Sequence, residues 1–181
     1  MHKNQGVNDG IPMMGTICVT VRDARTRRVV RSYEIRNKIT FLAADVLVGL
    51  FAQRVSGDGT ALSNQIYSMR MGSSNTAAAR SDINLGAFTI GKEIGDIGKV
   101  NGAPGEIKFI ATLDTGDANG TTLREAGLFT RGPAVSPTPS DAPGATITTP
   151  RMIARQVYPD VPKTVSLVVD FSWTIAFTAV P

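Results

Sequence analysis

The sequence predicts a mainly β protein, an antiparallel β-sandwich with one α-helix over about residues 40–54. Three observations carry this. From Thr164 to Phe177 every odd position is apolar: Val165, Leu167, Val169, Phe171, Trp173, Ile175 and Phe177. The even positions are mostly small or polar: Thr164, Ser166, Asp170, Ser172 and Thr174. A period of two marks a strand with one buried face. The same alternation recurs in shorter runs separated by turn-forming clusters. Finally, 181 residues with 42% apolar and 19% charged content suit one globular domain with a real core.

The expected organisation is an N-terminal arm over residues 1–13 and a single sandwich domain over 14–181. The arm is polar and contains glycine, and we expect a neighbouring subunit to hold it. Met13-Met14 lead into a first strand and read as core. Ile17, Val19 and Val21 alternate with Cys18, Thr20 and Arg22, and Val29, Tyr33 and Ile35 continue the period. The polar connection Asp23-Ala24-Arg25-Thr26 makes this a hairpin. Thr40 is placed to cap a helix whose apolar face is Phe41, Ala44, Leu47, Val48 and Phe51, with Asp45 off that face. Ser56-Gly57-Asp58-Gly59 ends it.

Tyr67, Met69 and Met71 predict a short strand that stops at Gly72-Ser73-Ser74-Asn75. Residues 75–105 are rich in Gly, Ala, Asn and Asp, with a weak strand signal at Phe88-Thr89-Ile90. Ile107, Phe109, Ala111 and Leu113 alternate again. A turn over Asp114–Gly120 leads to a strand over Leu123–Phe129. Residues 131–150 hold five of the ten prolines and read as a long exposed loop. Met152–Tyr158 is a further strand, which Pro159 and Pro162 are expected to end. The long strand closes the domain. At roughly 3.3 Å per residue it would be about 45 Å long, enough to run the height of a sandwich or to continue into a neighbour's sheet.

Composition disfavours several function classes. No run approaches the length of a membrane helix. The opening Met1–Gly6 lacks an apolar run, so no signal peptide is expected. Cys18 is the single cysteine, which rules out an intrachain disulfide and suits a reducing cytoplasm. His2 is the single histidine, so histidine-based catalysis or metal binding is not expected. The net charge of +4 is unevenly placed. Arg22, Arg25, Arg27, Arg28, Arg31, Arg36 and Lys38 face only Asp23 and Glu34 in that stretch. This reads as a solvated hairpin or as a surface for an acidic partner or nucleic acid. Only Tyr33 lies among these charges, so the stacking platforms of single-strand binders are missing and nucleic acid is disfavoured.

Three segments invite chemistry and fall short of it. Asp114–Gly120 resembles a calcium loop, but with Gly120 at the sixth position Thr115 and Ala126 occupy the end-ligand positions. It reads as a tight turn. Gly57-Asp58-Gly59-Thr60 lacks the lysine and spacing of a phosphate loop. Arg124-Glu125, ahead of Gly127, reads as a structural charge pair at a strand edge, without a partner base or pocket. Gly127 reads as a close backbone approach or a bulge. Trp173 is expected to anchor the core. We expect no catalytic, cofactor or metal residues. The interface candidates are Arg25, Arg27, Arg28, Arg31, Arg124 and Glu125.

The order of the elements carries a resemblance. A helix leads to Ser68-Met69-Arg70-Met71-Gly72-Ser73. Leu123-Arg124-Glu125-Ala126-Gly127-Leu128-Phe129-Thr130-Arg131-Gly132 follows. Then come Met152-Ile153-Ala154-Arg155-Gln156-Val157-Tyr158-Pro159-Asp160-Val161-Pro162-Lys163-Thr164 and the long terminal strand. Across residues 40–177 this resembles tailed-bacteriophage virion proteins, namely tail-collar fibre N-terminal domains and related small tail, neck or baseplate proteins. The chain departs from that pattern at Gly72-Ser73-Ser74, where many fibre domains carry Asp-Gly, and in its basic hairpin at residues 14–37. No fibre shaft follows Pro181, so the resemblance implies a stand-alone adaptor or ring protein. It implies a non-enzymatic virion component, made in the host cytoplasm, whose partners are its own copies and other virion proteins. Capsid decoration is the alternative within that class. A receptor- or carbohydrate-binding module is disfavoured by the eleven aromatics, most of them at inward positions.

Overall fold

The computed structural model describes residues 13–41, 43, 65–99, 105–131 and 150–177. Nine strands are described: β1 (Met13–Asp23), β2 (Val29–Ile39), β3 (Ile66–Gly72), β4 (Phe88–Glu93), β5 (Asp96–Lys99), β6 (Glu106–Leu113), β7 (Thr122–Thr130), β8 (Met152–Pro162) and β9 (Leu167–Phe177). They form two antiparallel sheets. One runs β2-β1-β9-β6-β5 and the other β4-β3-β7-β8. The sheets join at β2, where only Lys38 and Ile39 pair with Arg155 and Ala154 of β8. They meet again where the chain bends between β4 and β5. There the Ile94 N–H reaches Tyr67 O on β3 at 2.9 Å, and the Gly95 N–H reaches Ile110 O on β6 at 2.9 Å. One chain segment thus crosses from the edge of one sheet to the edge of the other.

Alternation explains the first sheet. In register, Ile17 faces Ile35 and Trp173, and Val19 faces Tyr33 and Phe171. Phe109 pairs with Trp173 and Ala111 with Phe171. These side chains share one apolar interior with Met69, Met71, Leu123, Ala126 and Leu128 of the second sheet. Cys18, Thr20, Ser172 and Thr112 alternate onto the polar face, where Asp170 accepts from Arg22 Nε at 2.7 Å and Thr112 Oγ1 at 2.9 Å. Trp173, Phe171, Met69 and Met71 are fully buried, as expected.

Several expectations need correction. The terminal strand starts at Leu167, because Val165 and Ser166 form a turn and Val165 is exposed. Its eleven residues span about 36 Å. Met14 alternates onto the outer face and is exposed. β8 continues through Pro159 to Pro162. The prolines are tolerated because the outer edge of β8 meets no described strand there, and the β7 register skips opposite Pro159 while Pro162 pairs with Thr122 at the start of β7. β5, which shows no alternation of large apolar residues, was not anticipated. The hydroxyl of Thr40 donates to Met152 O at 2.8 Å, and Thr40 O accepts the Ala43 N–H at 3.2 Å. Phe41 and Ala43 have helical backbone. The rest of the expected helix over 40–54, the Gly57–Thr60 segment, residues 1–12 of the arm and residues 132–149 of the loop lie outside the described residues.

Candidate interface site

The basic hairpin is built by a local turn. Asp23 Oδ1 accepts the Arg25 N–H at 3.1 Å, the Thr26 N–H at 2.7 Å and the Thr26 hydroxyl at 2.8 Å. The Thr26 N–H, then its hydroxyl, hold the Asp23 carboxyl below its usual range. Arg27 takes a left-handed φ of 59°, and the Asp23 N–H closes onto Arg28 O at 3.0 Å. Asp23 is thereby spent on the turn. Arg25, Arg27, Arg28 and Arg31 are exposed, and none forms an ion pair among the described residues. Val29 and Val30 beside them are about half exposed, at 54% and 55%. The structure therefore gathers four of the six candidates on one hairpin.

Arg124 and Glu125 lie elsewhere and do not pair with each other. The strand-edge expectation is overturned, since β7 runs between β3 and β8. Alternation sends the two side chains to opposite faces. Arg124 forks onto the Asp160 carboxylate at 2.8 and 3.0 Å and donates to Ser73 O at 3.3 Å. Glu125 is fully buried. Its Oε2 accepts from Arg155 Nε at 2.9 Å and Nη2 at 2.8 Å, and from the Gly86 N–H at 3.0 Å. Its Oε1 accepts the Ala87 N–H at 2.7 Å and the Ser74 N–H at 3.3 Å.

Arg155 extends this clamp. Its Nη1 donates to Asp82 Oδ2 at 2.7 Å and its Nη2 to Thr76 O at 3.0 Å. Burial pushes Asp82 upward, but the Ala79 N–H and Arg155 together outweigh it and hold the carboxyl below its usual range. Glu125, Arg155 and Asp82 thus fold the polar segment 73–87 against the second sheet. Its composition offers no periodicity, and its shape comes from charges contributed by other strands. Tyr158 Oη also donates to Glu125 O at 3.1 Å, and burial pushes its hydroxyl well above the usual range.

Gly72 and Gly127 fit this crowding. A methyl at Gly72 would collide with Ala87 O and the Glu125 carboxylate. One at Gly127 would sit 3.0 Å from Met152 Sδ and 3.1 Å from Ala154 O. The 114–120 turn is held by side chains as well. The Asp114 N–H donates to Asp117 at 2.8 Å, Lys92 pairs with Asp117 at 2.7 Å, and Lys163 Nζ donates to Asn119 at 3.2 Å. Lys163 is buried, and burial pushes its amino group down against the pull of Asp117 and Asp114.

Asp82, Arg155 and Lys163 were missed as structural residues. A charged Arg155 directly after the apolar Met152-Ile153-Ala154 was the available signal. A trough of about 690 Å³ beside the β4–β5 bend is lined by Lys92, Glu93, Asp96, Ile110 and Thr112. Among the described residues no three His, Cys, Asp or Glu side chains are grouped to hold a metal. No described helix is long and apolar enough to cross a membrane. No protein-family model, curated protein or solved structure matches this chain.

Proposed function

We propose that this chain is a non-enzymatic structural component of a tailed-phage virion, a tail, collar or baseplate adaptor or ring protein. On this reading the two sheets form an antiparallel β-sandwich that assembles through strand and arm exchange. The observation that carries it is the contrast between Arg25, Arg27, Arg28 and Arg31, exposed on one hairpin without an ion pair among the described residues, and the buried Glu125–Arg155–Asp82 clamp. Charge inside the fold braces a loop, whereas charge on the hairpin is left for a partner. The motif order of the sequence supports the virion assignment. The same hairpin also favours a second reading, capsid decoration, in which it meets an acidic capsid surface.

The test is the solution mass by light scattering, for the full chain and for a chain lacking residues 1–13. A defined ring or trimer that falls apart on deletion is expected. An oligomer unaffected by the deletion would remove the arm from the proposal. A monomer in both cases, 19.2 kDa for the full chain, would favour decoration over self-assembly.

A further inference from the structure

β2 changes partner at its end. Its β1 register covers Val29–Asn37, whereas β8 meets it only at Lys38 and Ile39. Along Arg31–Asn37 the outer edge therefore presents backbone N–H and C=O groups unpaired by any described strand. The register skips Val30, so a bulge sits at the hairpin end. Beyond it the edge is regular and carries no proline. The diverging edge of β8 is different, since Pro159 and Pro162 remove donors there and its register with β7 is broken. Of the two edges that part at this corner, only that of β2 is built to accept a strand.

Charge decides what it accepts. Arg31 and Arg36 are exposed on β2, with Arg25, Arg27 and Arg28 on the adjoining turn. Asp23 and Asp170 are spent on the turn and on Arg22, which leaves Glu34 as the one carboxylate of the strand. A second copy pairing β2 with β2 about a twofold axis can set Arg36 against Glu34 of the other copy but leaves Arg31 and the turn arginines of both copies unmatched, so it satisfies less charge than an acidic strand. The chain's own N-terminal arm brings one lysine and one aspartate and so has no charge to match. We infer that the Arg31–Asn37 edge accepts an extended acidic segment of a different polypeptide, added as a further antiparallel or parallel strand. Backbone hydrogen bonds would supply affinity, and alternating carboxylates on the outer face, beside Arg36, would supply selectivity while the apolar alternates continue the face of Tyr33 and Ile35. The exposed Val29 and Val30 would meet apolar residues at one end of that segment. This inference rests on the assembly reading above and names the partner of the same hairpin.

The probe is a seven-residue acetylated peptide amide alternating Glu and Val. Two controls are its Gln–Val counterpart and a Glu–Val version N-methylated at alternate residues. Titration is followed by amide spectra and hydrogen exchange of the intact chain. Expected are slowed exchange over residues 31–37, at least tenfold weaker binding of both controls, and a similar loss for R31E/R36E. Equal binding of the Gln peptide would overturn the charge argument, and equal binding of the N-methylated peptide would overturn strand addition. Absence of binding would overturn both. A short DNA duplex that displaces the peptide and binds more tightly would overturn the proposal in favour of nucleic acid. A monomeric chain that binds the peptide would retain this inference while removing self-assembly. An oligomer that ignores the peptide would do the reverse.

Discussion

Arg155 and Glu125 show at the residue scale how a buried charge is tolerated. Each is almost fully enclosed, and each has its polar atoms occupied. Replacing Arg155 with Leu leaves Glu125 buried without its cation. We expect a loss of about 3–5 kcal/mol in urea unfolding. A loss no larger than that of an exposed arginine such as Arg36 would show that the clamp is not structural. Gly72→Ala places a methyl against Ala87 O and the same carboxylate, and should cost about 1–3 kcal/mol. Trp173→Ala empties the centre of the core and should cost about 3–5 kcal/mol by thermal unfolding.

The segment 73–87 behaves as an element although it contains no strand. Its stability is tied to pH through Asp82. The folded value of Asp82 is lowered from the usual 3.8. Its contribution is therefore complete above 3.8 and lost as pH falls through the lower folded value. Circular dichroism during acid titration should show D82N losing less stability over that interval than the native chain, and coincident curves would exclude the mechanism. The hairpin turn gives the opposite expectation. Arg25, Arg27 and Arg28 are exposed, so R25S/R27G/R28S should leave the melting temperature within the range of ordinary surface changes, about 0.5 kcal/mol. If the hairpin serves assembly, the same variant should lower the oligomer mass or the affinity for an acidic partner.

At the scale of the molecule, two sheets are tied together at two corners, β2 to β8 and the β4–β5 bend. The bend carries the chain from β4 of one sheet to β5 of the other, and the outer edge of β2, unpaired along Arg31–Asn37 by any described strand, is the one we propose for another chain. Salt dependence checks this. Association that relies on the arginines should weaken as ionic strength rises from 0.05 to 0.5 M, because exposed charges are screened over about 10 Å at 0.1 M. Association insensitive to salt would point to the apolar edge residues instead.

Local chemistry by itself determined the mainly β class, the hairpin, and the strands around Met69, Phe109, Leu123, Met152 and Phe171. Those around Met69, Phe109 and Phe171 have a one-sided apolar period that is satisfied within a few residues, and those around Leu123 and Met152 are short apolar runs between turn residues. The burial of Trp173 and the basic character of the hairpin followed from the same reading. Tertiary structure alone decided the neighbours of β7, the continuation of β8 past its prolines, and the fold of residues 73–87. These depend on partners far apart in the chain, such as Arg155 and Asp82, 73 residues apart. A period of two states which face is buried. It cannot state which strand lies alongside, nor that the carboxylate of Glu125 will find its cation on the next strand.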